Sequence, residues 1–156
     1  MKAEALSGLA SRIRQELKDL ERVLDRINEG WQRARRSDDD YYLDSVALNL
    51  HGFYSGLERI FALIAENIDN SLPQGENWHF LLLQQMSQEN SPLRPAVISE
   101  EVGKRMNEYR GFRHVVRNVY TYRFDPIKIE NLVKSAPDLF AQLKAELLAF
   151  AAFLEQ

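Results

Sequence analysis

The sequence predicts an all-α protein, and three observations carry that prediction. Apolar residues recur at intervals of three and four through most of the chain, the spacing that places them on one face of a helix. No segment alternates apolar and polar residues over the length of a strand. Turn-forming segments divide the helical stretches. We expect an antiparallel four-helix-type bundle with one extra short helix, formed by residues 1–156 as a single domain.

Two long apolar stripes mark the first two helices. The second helix is expected to begin at Ser37, with Ser37 as its N-cap and Asp40 as the reciprocal partner three residues later. A metal site at residues 38–40 is the alternative, but consecutive helical positions point in different directions. The stripes consist of Leu6, Leu9, Ile13, Leu17, Leu20, Leu24, Ile27 and Trp31 in the first helix, and of Leu43, Val46, Leu50, Phe53, Leu57, Ile60, Ile64 and Ile68 in the second.

Three further segments are expected to be helical. A short helix covers about 77–87, and a fourth helix runs from the N-cap Ser99 to about Tyr120. The last segment starts at Asp125, whose successor is a proline suited to the first helical position. A second proline in the segment 135–137 is expected to divide this last part into a short helix and a long terminal one.

Composition excludes several classes of site. The chain has no cysteine, so disulfides, thiolate metal sites and cysteine nucleophiles are ruled out. Its longest apolar run, residues 147–154, is far too short for a bilayer span, and the start lacks a signal peptide's apolar stretch. No glycine-rich phosphate loop occurs. We therefore expect a cytoplasmic protein with no membrane association, no metal and no cofactor.

Charge is unevenly distributed along the chain. The formal net charge is only −3, yet residues 104–128 contain seven basic and two acidic residues, a net of +5. Residues 37–103 contain two basic and eleven acidic residues, a net of −9. Because a local field matters more to a phosphate ligand than net charge does, the basic segment predicts an anionic partner.

The basic segment places its polar residues on two ridges of one helix. Like charges one turn apart cost a few tenths of a kcal/mol, so a helix that accepts them usually faces something anionic. The alternative is a solvated face whose arginines pair with acidic residues of neighbouring helices, and Glu58 is the candidate counter-ion. His51 follows a residue of the apolar stripe and is expected to be a partly buried histidine, not a ligand, whereas the position of His79 near a helix start indicates little. The first ridge consists of Arg110, Arg113, Arg117 and Tyr120, and the second of His114 and Asn118.

The segment resembles the motif of HEPN domains, and most closely that of HepT-like toxins. Their signature is an arginine, four to six residues of which the first is usually polar, a histidine, any residue and a tyrosine. Arg113 matches the arginine, His114 the polar follower and Tyr120 the tyrosine, but Asn118 stands where the histidine should be. The segment 54–60 is also similar to HepT-like proteins.

The resemblance implies a metal-independent endoribonuclease that works as a homodimer. Two motif helices would meet at a two-fold axis, and a ribose 2′-hydroxyl would attack the adjacent phosphate of an RNA, with tRNA a candidate. Arg113 would bind that phosphate, and the RNA would also be contacted by Arg110, Arg117 and Tyr120. The resemblance further implies a minimal nucleotidyltransferase antitoxin as partner, which could attach nucleotide to Tyr120.

The asparagine leaves the predicted activity open. Asn118 cannot titrate, so the proton transfer expected of the family's histidine is missing at that position. Either His114, one turn earlier, has taken over that role, or the domain has lost nuclease activity. In the second case it would be a non-catalytic module that binds a nucleotidyltransferase, nucleotide or RNA. A purely structural helical dimer is the third alternative.

Overall fold

Five α-helices make up most of the computed structural model, which describes residues 2–156. Among these residues there is no strand; an isolated β-bridge joins Asn90 and Arg94. The all-α prediction is confirmed, including the four long helices and the short extra one. The helices are α1 (Ala3–Ser37), α2 (Tyr41–Ile64), α3 (Trp78–Met86), α4 (Glu100–Asn118) and α5 (Pro126–Leu154), with a π-helical turn (Ala65–Asp69) after α2 and a 3-10 turn (Thr121–Arg123) before α5.

Helix α2 lies at the centre of the bundle because its apolar residues meet three other long helices. It packs on α1, α4 and α5, and the short α3 lies beside both α2 and α4. At Gly56 the helices α1 and α2 approach closely, since a Cβ there would lie 2.8 Å from Leu20 Cδ2. Each Leu, Ile or Phe side chain buried between helices stabilises the fold by about 1.5–3 kcal/mol. This packing brings one face of α2 against α4, which carries the basic segment.

The junction between α1 and α2 differs from the prediction. Helix α1 continues through Ser37, whose hydroxyl donates to the Arg33 carbonyl at 2.6 Å. Asp38 then takes a left-handed conformation with φ 53°, and Asp39 accepts a hydrogen bond from the first backbone N–H of α2 at 3.0 Å. The predicted capping box of Ser37 and Asp40 is therefore wrong. The basic residues in the last turn of α1 favour its extension because cations stabilise a helix C-terminus.

The predicted starts of α4 and α5 are confirmed by their capping hydrogen bonds. Ser99 Oγ accepts from Val102 N at 3.2 Å. Asp125 Oδ1 accepts from Ile127 N at 3.0 Å, and Pro126 occupies the first helical position, where no N–H is needed.

The predicted break at residues 135–137 is wrong, because α5 continues through Pro137. A proline inside a helix removes a backbone N–H and crowds the preceding turn. Helix α4 supplies donors to that turn: the Tyr109 hydroxyl donates to the Leu132 carbonyl at 2.8 Å, and Arg105 Nη2 donates to the Ser135 carbonyl at 3.4 Å. These tertiary bonds support the helix where the local sequence predicts its end.

A buried ion pair ties the π-helical turn to the loop between α3 and α4. Arg94 Nε donates to Asp69 Oδ1 at 2.7 Å and Nη2 to Oδ2 at 2.8 Å, with both side chains at most 3% exposed. The remaining guanidinium N–H groups donate to the carbonyls of Gln85, Gln88 and Pro95. Every one of the five Arg94 donors therefore has an acceptor.

Candidate functional site

The centre of the basic segment lies where α2, α3 and α4 meet, and we call this junction the cleft. Tyr109 of α4 packs edge-on against Phe53 of α2, with ring centroids 5.7 Å apart. Phe112 is also buried, and its ring lies 6.1 Å from that of Phe124. These contacts fix the rotation of α4, so Arg113, which follows Phe112, is turned toward α2 and α3.

Glu58, His79 and Arg113 form a hydrogen-bonded array that joins the three helices. His79 Nδ1 lies 2.6 Å from Glu58 Oε2, and His79 Nε2 lies 3.5 Å from Arg113 Nη1. The side chains of His79 and Glu58 are 18% and 11% exposed, so water screens the pair only weakly. Glu58, predicted as a counter-ion for the arginines, thus has His79 as its direct partner, and His79 lies between it and Arg113.

Arg113 has unused hydrogen-bonding capacity. Its Nε is buried and has no hydrogen-bond partner among residues 2–156. A buried donor that lacks an acceptor costs about 1–3 kcal/mol. A ligand with acceptor oxygens would remove this cost, and a phosphate would also balance the charge.

Glu58 has a second neighbour in the cleft. Burial raises the pKa of the Tyr54 phenol, and the charge and hydrogen bond of Glu58 raise it further. Tyr54 therefore remains protonated and available as a donor to the Glu58 carboxylate. The Glu58 carboxylate is therefore bonded to His79 and has the Tyr54 phenol beside it.

His51 lies on α2 near the same arginines. Burial lowers the pKa of His51, and the positive charges of Arg113 and then Arg117 lower it further, while Glu58 opposes them. The neutral imidazole is therefore favoured. His51 is therefore within electrostatic range of two arginines of α4.

The outer face of α4 carries the other two residues of the motif. His114 and Asn118 are both exposed. Asn118 Nδ2 donates to the His114 carbonyl at 2.8 Å and lies 3.3 Å from His114 Nδ1. If the amide donates to Nδ1, that ring nitrogen carries no proton and Nε2–H points to solvent. Asn118 is thus tied to its own helix.

The ridge predicted to end at Tyr120 is shorter in the structure. Helix α4 ends at Asn118, and Val119 is extended, with φ −124° and ψ 139°. Tyr120 therefore leaves the line of the arginines; it is 75% exposed and stacks on Tyr122, with ring centroids 6.0 Å apart. Its placement on the helical ridge was a wrong prediction, because the helix does not reach it.

The arginines on either side of Arg113 have different surroundings. Arg110 lies over the Phe80 ring of α3, 5.7 Å from its centroid, and its Nε donates to Asn107 Oδ1 at 2.7 Å. Arg117, one turn further along α4, is exposed. The ridge therefore runs from an arginine held against α3, through the half-buried Arg113, to a solvated arginine.

Comparison with known families identifies the chain. The family model described as HepT-like protein matches residues 45–154, more than two thirds of the sequence. The chain belongs to the HepT-like family of HEPN domains. No curated protein and no solved structure gives a significant match. The matched part of this HepT-like protein contains every residue of the cleft and extends from the first turns of α2 to the end of α5.

Two residues of the cleft, His51 and His79, were not predicted as part of the site. All three histidines of this HepT-like protein lie on or beside the arginine ridge. One signal was present in the sequence: Glu58 lies beside the apolar residues Leu57 and Ile60 of α2. The structure shows that this carboxylate is buried, where it needs a partner. Nothing in the sequence identifies that partner as His79, because the two residues lie on different helices.

In the part of the chain that the structure describes, no helix is long and apolar enough to span a membrane. No group of three or more His, Asp or Glu side chains among these residues is arranged to hold a metal ion. The polar groups of the cleft are instead arranged as hydrogen-bond donors and acceptors around Arg113.

Proposed function

We propose that this HepT-like protein is the toxin of a toxin–antitoxin pair and acts in the cytoplasm as a metal-independent endoribonuclease. The observation that carries the proposal is the Arg113 guanidinium, which is half-buried beside histidines and keeps a buried Nε without an acceptor. A phosphate of RNA supplies oxygen acceptors, and guanidinium groups bind phosphate through paired N–H donors. The net charge of +5 over residues 104–128 attracts the RNA backbone.

The proposed reaction uses the ribose as nucleophile. Arg113 binds the phosphate and offsets the charge that develops as the 2′-oxygen attacks it. Arg110 and Arg117 bind the flanking phosphates. A histidine takes up the proton of the 2′-hydroxyl, and His114 outside the cleft competes for this role with the two histidines inside it. Asn118 contributes hydrogen bonds alone.

Assembly as a homodimer fits the exposed apolar surface beside the end of α4. Tyr122 and Ile127 are 74% and 70% exposed. Clustered apolar groups of this kind mark interaction surfaces. A two-fold axis there brings the two segments 113–120 together and doubles the density of positive charge. Light scattering at micromolar concentration should report a dimer, and a monomer would rule out the composite cleft.

The proposed antitoxin is a minimal nucleotidyltransferase. Attachment of nucleotide to a tyrosine requires an accessible phenol, and the Tyr120 side chain is largely exposed. The added phosphate would place negative charge next to the arginine ridge and weaken RNA binding there. Mass spectrometry after incubation with the partner and a nucleotide tests this, with Tyr120→Phe as the control.

A second candidate function is a non-catalytic module that binds a nucleotidyltransferase, nucleotide or RNA. The observation in its favour is the Asn118 amide, which is occupied by its own helix and has no proton to exchange. Asn118→His distinguishes the two candidates, because it restores the motif of the family on an exposed position where a larger ring causes no clash.

Cleavage of a mixed tRNA pool in EDTA tests the main proposal. We expect the wild type to cleave and Arg113→Ala to cleave at least about 100-fold more slowly, with Arg33→Ala on α1 as the charge-matched control. If Asn118→His cleaves and the wild type does not, the natural chain is better explained as a non-catalytic module. His114→Ala shows whether the exposed histidine carries the proton.

A further inference from the structure

The bonding of His79 is that of a general base. We propose that an RNA phosphate binds at Arg113 and that His79 Nε2 accepts the proton of the adjacent ribose 2′-hydroxyl. Glu58 holds His79 in the tautomer that this step requires. The proposal rests on the proposed ribonuclease function. Asn118 of α4 cannot transfer a proton, and the proposal assigns that role to His79 of α3.

The neighbours of His79 determine its tautomer. The Glu58 carboxylate only accepts hydrogen bonds, so the 2.6 Å contact requires a proton on Nδ1. The Arg113 guanidinium only donates, so the 3.5 Å contact requires a lone pair on Nε2. Both contacts select the same neutral form, in which the basic nitrogen faces the phosphate-binding group.

The imidazole is also held in position. The Trp78 ring lies 3.7 Å from that of His79, centroid to centroid, at an angle of 33°. The side chain is 18% exposed, so most of the ring is packed and a small part of it meets solvent. A base that is held within reach of the reacting proton needs no rearrangement before it acts.

The other two histidines are less suited to this role. Burial, and then the charges of Arg113 and Arg117, lower the pKa of His51, so its ring takes up a proton less readily than an ordinary imidazole. His114 is on the exposed face of α4, and its ring nitrogen contacts Asn118. Among the three histidines, His79 is the one bonded to a carboxylate, which stabilises the imidazolium once it forms.

The step balances without a metal or redox partner. As the bond from the 2′-oxygen to phosphorus forms, His79 Nε2 takes the proton from that oxygen. The bond between phosphorus and the 5′-oxygen breaks, and the leaving oxygen takes a proton from water. The products are a 2′,3′-cyclic phosphate and a 5′-hydroxyl, and His79 then releases its proton to water.

Arg113 makes this proton transfer dependent on bound phosphate. Without a ligand, Arg113 Nη1 faces the lone pair of His79 Nε2 at 3.5 Å and competes for it. A phosphate that draws this N–H onto its own oxygens frees Nε2 to accept the 2′-hydroxyl proton. DNA has the phosphate but lacks the 2′-hydroxyl, so the arrangement selects RNA for cleavage, although DNA can still bind.

The full-length protein and a short RNA provide the test, with the same RNA carrying one 2′-deoxy sugar as the uncleavable binding probe. We expect His79→Ala to slow cleavage by about 100-fold or more, since positioned proton transfer contributes a factor of 10²–10⁴. Affinity for the probe should stay within about three-fold. Added imidazole should restore part of the rate, which a merely structural role of His79 would not allow. Leu81→Ala, at an exposed position of α3, is the control for damage to that helix.

The outcomes separate this inference from the function on which it rests. A wild type that cleaves, together with a His79→Ala variant that cleaves as fast, overturns the role of His79 and leaves the ribonuclease proposal standing. If His79→Ala loses cleavage and added imidazole does not restore it, the role of His79 as a base is likewise overturned and the ribonuclease proposal stands. A wild type that cleaves no RNA at any pH overturns both.

A second measurement requires no activity and no mutation. Nitrogen-15 NMR of the wild type with labelled histidine should find His79 protonated on Nδ1 and unprotonated on Nε2 at neutral pH. Glu58→Gln should weaken that preference, because an amide can offer either a donor or an acceptor to Nδ1. A wild-type His79 protonated on Nε2 would overturn the proposal, whatever the cleavage assay shows.

Discussion

Arg94 and Arg113 both bring a guanidinium into the interior of the bundle, but they differ in how their donors are used. Arg94 is paired directly with Asp69, and all five of its N–H groups have acceptors. Arg113 has one contact of 3.5 Å with an imidazole and a buried Nε with none. A saturated arginine stabilises the fold, whereas one with free donors is available to a ligand.

The difference arises from the distance between each arginine and its carboxylate. Asp69 meets the Arg94 guanidinium along two parallel hydrogen bonds, the strongest geometry for this pair. Glu58 is separated from Arg113 by the His79 ring. The imidazole therefore prevents Glu58 from neutralising Arg113 through a direct contact, which would compete with a phosphate.

The largest effect is expected from Arg94→Met. The substitution leaves the Asp69 carboxylate buried without its cation, and breaking a buried pair in this way costs about 3–5 kcal/mol of unfolding free energy. Urea denaturation followed by circular dichroism measures the loss. The double variant Asp69→Leu/Arg94→Met should recover part of it by removing both charges. A loss below about 1 kcal/mol in the single variant would show that the pair is not buried in solution.

Arg113→Met should have a small effect on stability and a larger effect on RNA binding. Since Arg113 has few hydrogen bonds to lose, we expect the unfolding free energy to change by less than about 1 kcal/mol. RNA binding should weaken by about 1–3 kcal/mol and depend less steeply on salt, because one phosphate contact is lost. Fluorescence anisotropy with 2′-deoxy-substituted RNA at several salt concentrations measures both. Arg33→Met is the matched control, since Arg33 pairs with Glu29 on the surface of α1.

The same contrast explains which parts of the fold could be predicted. The apolar stripes and the capping residues Ser99 and Asp125 are local patterns, and the structure follows them. Helix α5 continues through Pro137, and near it the carbonyls of Leu132 and Ser135 accept hydrogen bonds from another helix. Such tertiary donors leave no trace in the local sequence, so a proline there predicts a break.

The candidate site also has one part that local sequence predicts and another that depends on tertiary packing. The arginine ridge follows from spacing along one helix, and the structure places Arg110, Arg113 and Arg117 on successive turns of α4. The partner His79 belongs to a short helix whose position is set by packing on α2 and α4. Tyr120 was misplaced because the end of a helix depends on one or two residues, here the extended Val119.

Acid should weaken the ion pair between Arg94 and Asp69 within a defined pH range. Burial alone would raise the pKa of Asp69, but hydrogen bonds from Arg94, Gln85 and Asn90 outweigh it and lower the pKa overall. A carboxyl whose folded pKa is lowered stabilises the fold above its unfolded pKa of about 3.9, and this contribution is lost as pH falls through the folded value. Urea midpoints of wild type and Asp69→Asn should differ by a constant amount between about pH 5 and 7 and converge below about pH 4. A difference that remains constant down to pH 2 would contradict the lowered pKa.

The smallest expected effect is on the titration of His51, and it tests whether the Arg113 charge is exposed to the cleft. Burial lowers the pKa of His51 first, and the charges of Arg113 and Arg117 lower it further. Because the folded pKa lies below the unfolded value of about 6.5, this group stabilises the fold above pH 6.5 and does so less as pH falls through the folded pKa. Removing either arginine should raise the pKa of His51 toward its ordinary value, more for Arg113→Met than for Arg117→Met. Neither substitution should restore the ordinary pKa of His51 fully, because the burial remains.

Bound RNA should raise the pKa of His51 as well, since phosphates offset both cations. Proton NMR of the imidazole ring measures these shifts, with Arg33→Met as the variant that should leave them unchanged. If Arg113→Met left the pKa of His51 unaltered, the guanidinium would be neutralised or turned away in solution, and Arg113 would resemble Arg94 after all.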